Sequence, residues 1–89
     1  MISHINSRFR KAFQKLPPPV REAARETYRL WKKNPQHSSL QFKTIHPTKP
    51  IYSVRIGIHW RAIGIREKET IIWFWIGSRE EYTNLKKRL

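Results

Sequence analysis

Residues 70–76 read Thr-Ile-Ile-Trp-Phe-Trp-Ile and are followed by Gly77-Ser78. A run that is apolar at almost every position, and rich in β-branched and aromatic side chains, fits a central strand covered on both faces. Gly77-Ser78 breaks it. The apolar stretch is far shorter than the roughly 20 residues a membrane-spanning helix needs. In a chain of 89 residues, a strand of this kind organises everything else around it. One small domain covering 1–89 is expected, with a single modest core, because a chain this short buries only about 60–65% of its unfolded surface.

The segments before that strand supply its partners. Ile51–Ile58 alternates: Tyr52, Val54, Ile56 and Ile58 face one way, and Ser53, Arg55, Gly57 and His59 the other. Gly57 to His59 reads as a tight turn or bulge. Trp60–Arg66 forms the next strand, and Glu67-Lys68-Glu69 a charged hairpin turn. Leu40–Ile45 is a further short strand candidate, and His46-Pro47-Thr48-Lys49-Pro50 a loop.

Nearer the N-terminus the period changes from two to 3.6. Asn6 or Ser7 caps a first helix in which Phe9, Ala12, Phe13 and Leu16 make one apolar stripe. Pro17-Pro18-Pro19 ends it and opens a second helix, from about Pro18 to Lys33, which buries Val20, Ala24, Thr27, Tyr28 and Trp31. Arg21, Arg25 and Arg29 form a basic ridge along it, partly balanced by Glu22 and Glu26. Asn34-Pro35 stops it. Arg79–Leu89 is either a short basic helix or a frayed tail. Helix, helix, then strands with short connections implies an α+β fold: an N-terminal α-hairpin packed on one face of a small twisted antiparallel sheet. The opposite face then needs a purpose.

Charge narrows that purpose. The chain has 19 Lys+Arg against 6 Asp+Glu, a formal charge of +13. Folding does not require such an imbalance, so a polyanionic partner is expected. There is no Cys, which fits a reducing compartment. The N-terminal residues hold no apolar run of the signal-peptide kind, and a cytoplasmic protein without a membrane role is expected. There is also no Asp, and the six Glu residues are scattered; His4, His37, His46 and His59 lack metal-ligand spacing. No metal or other cofactor is therefore expected. Phosphodiester cleavage without metal is easiest when the substrate brings its own nucleophile, the 2′-hydroxyl of RNA.

Several of these segments resemble the RelE/ParE superfamily of toxins from type II toxin–antitoxin systems. Pro50-Ile51-Tyr52-Ser53-Val54-Arg55 followed by Trp60-Arg61-Ala62-Ile63 resembles their strand pair, in which a basic strand leads into an aromatic–Arg pair. Ile71–Ile76 with Gly77-Ser78-Arg79-Glu80-Glu81-Tyr82 resembles their last strand and its exit. The two preceding helices match the α-hairpin, so the likeness covers most of the chain. It implies a toxin neutralised by an acidic antitoxin. RelE-like members enter the ribosome and cleave mRNA without metal. ParE-like members inhibit DNA gyrase and lack the RNase residues. A weakened homologue that mainly binds its antitoxin is a third alternative.

The resemblance also assigns residues. Arg61 stands where RelE-like RNases hold the scissile phosphate, a role suited to a guanidinium because it binds phosphate bidentately and keeps its charge. Arg79 matches the Gly-x-Arg at the end of the last strand. Many relatives carry His there, which could act as a general acid where an Arg chiefly stabilises charge. Tyr82 lies near the family's C-terminal aromatic and is expected to stack on a base or orient the 2′-hydroxyl. Arg55 is expected to contact phosphate. His59, beside Arg61, is a candidate general base. Lys43 and Lys49 are expected RNA-backbone contacts. Trp73, Phe74 and Trp75 are read as core rather than as a stacking platform.

Overall fold

The computed structural model describes residues 1–89. In chain order its elements are β1 (Ile2–Ile5), α1 (Ser7–Gln14), α2 (Pro18–Lys33), a 3-10 turn (Ser38–Leu40), β2 (Lys43–Thr44), β3 (Ile51–Ile56), β4 (Trp60–Glu67), β5 (Thr70–Ser78) and α3 (Arg79–Lys86). The strands form one sheet in the order β1-β5-β4-β3-β2. The β2-β3, β3-β4 and β4-β5 pairs are antiparallel.

The expected α+β architecture is present, with one addition at its edge. Ile2–Ile5 forms a strand parallel to β5, pairing Ile2 with Thr70 and Ile5 with Trp73, so the sheet is mixed. A strand of four residues carries too little periodicity to be read from sequence, and its partner lies nearly seventy residues away. Helix α2 secures it: Tyr28 and Ser3 share a 2.7 Å hydroxyl hydrogen bond, and Lys32 Nζ donates to the Met1 carbonyl. Tyr28, expected to be buried, is instead half-exposed with its ring against Trp31.

Each helix begins as its sequence dictates. The Asn6 side chain accepts from the Phe9 N–H at 2.9 Å, which satisfies one free amide of α1. Pro18 and Pro19 open α2, where missing N–H groups cost nothing. Arg21 Nη1 donates back to the Leu16 and Gln14 carbonyls. This caps the end of α1 with a cation, the favourable sign for a helix C-terminus. One member of the expected basic ridge therefore holds the α-hairpin together.

Both helices of the hairpin lie on one face of the sheet. Trp31, Leu40, Val54, Ile56, Ala62, Ile71, Trp73 and Ile76 close the main core with Leu16, and Phe9, Ala12 and Phe13 pack against it. A β-bulge explains how Trp73 and Ile76, three residues apart, can share a face. Ile63 pairs with Trp75 but Gly64 pairs with Trp73, leaving Phe74 as the extra residue. Phe74 and Trp75 pack on the other side. Gly64 allows this: a Cβ there would sit 2.8 Å from the Trp73 ring and 2.9 Å from Ile71.

The opposite face has its own smaller core. Ile51, Ile63 and Tyr82 are buried, with Ile45, Phe74, Trp75 and Leu85 around them. Residues 79–86 are thus a docked helix, covering part of that face. Two sequence expectations are corrected. The segment Leu40–Ile45 splits into the 3-10 turn and a two-residue strand. Ile58 does not continue the apolar side of β3; the chain turns at Gly57 (φ +60°), and Ile58 is exposed.

Candidate functional site

The exit of β5 is where chemistry gathers. Arg55 and Arg61 are Cα partners across β3 and β4, so their side chains leave the same face. By the same alternation that face carries Ser53 and Ile63, and it is the face under α3. Arg61 lies with its guanidinium carbon 5.7 Å from the centre of the Tyr82 ring, and its Nη1 donates to the Trp60 carbonyl at 3.3 Å. Arg55 Nε donates to the Gly57 carbonyl at 2.9 Å, which ties it to the β3–β4 turn.

Helix α3 completes the cluster. Ser78 and Glu81 form a capping box: Ser78 Oγ accepts from the Glu81 N–H, and Glu81 Oε1 accepts from the Ser78 N–H, both at 3.1 Å. The Arg79 N–H donates to the His59 carbonyl at 2.6 Å, joining the β3–β4 turn to the start of α3. His59, Ser78, Arg79, Glu80 and Thr83 line one shallow, polar depression. Five residues singled out in the sequence, Arg55, His59, Arg61, Arg79 and Tyr82, therefore meet at one end of the sheet.

Tyr82 sits differently from a ring free to stack on a base. It is 9% exposed, and its hydroxyl points inward, donating to Ser53 Oγ at 3.3 Å. Lys86 Nζ lies 6.0 Å from the ring centre as a second cation. Lys43 pairs with Ser53 and so shares the face of the cluster, at the edge of the sheet. Lys49 is apart from it, in the loop before β3. Arg55 lies six residues further on, and at about 3.3 Å per residue this puts the two near opposite ends of the strand.

Arg55, Arg61 and Arg79 form no ion pair with a carboxylate, although Glu80 lines the same depression as Arg79. Burial pushes the Arg61 pKa below its ordinary value; the neighbouring Arg55 and Arg79 press in the same direction, and Tyr82 opposes them. An Arg stays charged through this, so its positive charge is held ready. The molecule's two carboxylate ion pairs, Arg25–Glu22 and Arg66–Glu69, lie elsewhere. No three His, Asp or Glu side chains converge as a metal site would require.

Ser53 and Lys86 escaped the sequence reading. On an alternating strand Ser53 is only one more residue of the side opposite Tyr52, Val54 and Ile56; in the fold α3 docks over it and it is buried. On the other face, a groove of about 580 Å³ runs between α1, α2 and the sheet, walled by Phe9, Phe13, Trp31 and Trp73 and edged by Arg25 and Arg29.

The chain is thus an α-hairpin on a five-stranded mixed sheet, with a basic cluster where the last long strand ends. Residues 18–84 match the model of the ParE-like toxin domain, and the chain belongs to that family. Solved structures agree on the fold. The RelB–RelE antitoxin–toxin complex from Methanococcus jannaschii matches with a TM-score of 0.72 at 17% identity, over 92% of this chain and 96% of that one. The archaeal RelE–RelB complex from Pyrococcus horikoshii gives 0.69 at 19% identity, over 88% and 93%. The isolated E. coli RelE toxin gives 0.64 at 18% identity, over 98% and 96%. No curated protein sequence matches the chain.

Proposed function

We propose that this protein is the toxin of a type II toxin–antitoxin pair and cleaves mRNA on the ribosome without a metal ion. The observation that carries the reading is Arg61: a half-buried guanidinium, crowded by Arg55 and Arg79, with no carboxylate paired to it. Such a cluster is costly until an anion arrives, and a phosphodiester in transition gains the negative charge it would stabilise.

In the proposed reaction the RNA 2′-oxygen attacks the adjacent phosphorus in line. The bond from phosphorus to the 5′-oxygen breaks, and that oxygen takes up a proton from water, leaving a 2′,3′-cyclic phosphate and a 5′-hydroxyl. Arg61 and Arg79 hold the non-bridging oxygens, and Arg55 adds positive charge alongside. His59 is the imidazole on this rim, and an imidazole suits removal of the 2′-hydroxyl proton near neutral pH. His37 and His46 are spent locally, each accepting backbone N–H groups through Nδ1. Lys43 extends the basic face along the RNA backbone, and Lys49 adds a more distant contact.

The partner that restrains this activity is an acidic antitoxin. The net charge of +13 supports it. So does the apolar groove between the α-hairpin and the sheet, whose Arg25 and Arg29 suit an acidic, amphipathic segment. A soluble cytoplasmic setting follows from this reading, and no helix is long and apolar enough to cross a membrane.

The test is mRNA cleavage in a reconstituted translation system, with naked RNA plus EDTA as a control. Wild type should cut ribosome-bound message, and Arg61→Ala should lower the rate by about a hundredfold or more. Intact message with folded wild-type protein would overturn the RNase reading. Loss of gyrase supercoiling in the same preparation would then place the chain with the non-catalytic toxins, and inertness in both assays with homologues that only bind antitoxin.

A further inference from the structure

Ser53 is a buried polar residue with one side-chain partner. It is 3% exposed, and its Oγ accepts from the Tyr82 hydroxyl at 3.3 Å. A buried hydroxyl without a partner is costly, so each of these groups fixes the other. The hydrogen bond joins two elements far apart in sequence: Ser53 is on β3 and Tyr82 is on α3. The tyrosine ring then spans from Ser53 to the guanidinium of Arg61.

The arrangement leaves Arg61 little freedom. Its backbone is set by pairing with Arg55 on one side and Gly77 on the other. Its Nη1 is held by the Trp60 carbonyl. The face of Tyr82 is a further surface that limits where the fork can point. Lys86 Nζ lies 6.0 Å from the centre of the same ring, which therefore holds two cations.

We propose that Ser53 and Tyr82 form a positioning pair for Arg61. Tyr82 supplies the surface under the guanidinium, Ser53 anchors Tyr82 from strand β3, and neither touches RNA. The proposal rests on the reading of Arg61 as the phosphate clamp. It goes beyond it by giving Tyr82 a role through Arg61 and by adding Ser53 to the machinery. Misplacing a charged clamp by about 1 Å is enough to cost about a hundredfold in rate.

The experiment combines single-turnover cleavage on the ribosome with NMR of the Arg61 side chain, whose signals the Tyr82 ring current displaces. In Tyr82→Leu the cleavage rate constant should fall about tenfold to a hundredfold, with half-saturation unchanged within about twofold. The Arg61 signals should lose their ring-current shift. In an Arg61→Ala background, Tyr82→Leu should cost nothing further. Tyr82→Phe, which keeps the ring but removes the same hydrogen bond as Ser53→Ala, should move the Arg61 signals partway and lower the rate by a smaller factor than Tyr82→Leu. Ser53→Ala should move the Arg61 signals and lower the rate by a smaller factor.

A Tyr82→Leu variant that weakens half-saturation but keeps its rate constant would make Tyr82 an RNA contact and overturn the proposal. So would Arg61 signals that stay in place. If Tyr82→Leu does not fold, Ser53→Ala decides: unmoved Arg61 signals with full activity sink the pair. If the wild type cuts no RNA, the function fails, yet the NMR arm still confirms or refutes the positioning.

Discussion

The two faces of the sheet are built on different terms. Under the α-hairpin, nine buried residues form one continuous apolar cluster around Trp31 and Trp73, which meet edge to face at 5.4 Å. Under α3 only Ile51, Ile63 and Tyr82 are buried, and Ser53 lies among them with its hydroxyl engaged. The first face holds the fold together. The second face spends its area on holding charge in place. Because the hairpin side buries most of the apolar surface, the α3 side can carry three mutually repelling arginines without unfolding the chain.

Mutations should separate the faces sharply. Trp31→Ala, on the hairpin side, removes a side chain that is 1% exposed and touches Phe42, Tyr28 and Trp73. It should cost about 3–5 kcal/mol, a large share of what a domain this size has. Chemical denaturation followed by Trp fluorescence reads this directly. A loss under 1 kcal/mol would mean that the main core is not where stability resides.

Ser78→Ala, on the α3 side, removes the capping box and should cost about 1 kcal/mol. Hydrogen exchange should show the loosening confined to the α3 amides, with β3 and β4 unchanged. Equal loosening across the sheet would erase the contrast between the faces.

The smallest effect is expected at Arg61. Its folded-state pKa lies below its ordinary value because of burial, with Arg55 and Arg79 adding to it. The unfolded chain therefore holds that proton more tightly. The resulting cost is present wherever Arg is charged in both states, and it fades only as pH rises through the strongly alkaline window between the two pKa values. Arg61→Met should leave stability equal or slightly higher, with a difference that stays flat from pH 5 to 9. A slope in that range, in thermal melts of the two proteins, would point to coupling between Arg61 and a histidine.

Much of the fold was legible along the chain because most of its contacts are local. Phe9, Ala12 and Phe13 at helical spacing and Tyr52, Val54 and Ile56 at alternating spacing each report a face that stays in contact with its neighbour in sequence. The site was legible in its residue types: two strand arginines, a third at a glycine-serine break, and an aromatic hydroxyl. What escaped were relations across the chain. β1 is read only once it lies beside β5. The bulge at Phe74 sends Trp73 one way and Trp75 the other, although the sequence shows three aromatic residues in a row. Tyr82 is expected to face RNA, and its hydroxyl instead faces Ser53.

The sequence by itself determined the layers: two helices bounded by Asn6 and a triple proline, strands alternating through Ile51–Ile56, an apolar strand through Ile76, and a charge that calls for a polyanion. Those features depend on periodicity, capping and composition, which are properties of neighbouring residues. Tertiary structure decided which side chains share a space. Arg55, Arg61, Arg79 and Tyr82 became one cluster, and Ser53 became its buried anchor, only when α3 folded back across β3 and β4. Hydrogen bonds and charge repulsion act over a few ångströms, and that proximity is created by the fold.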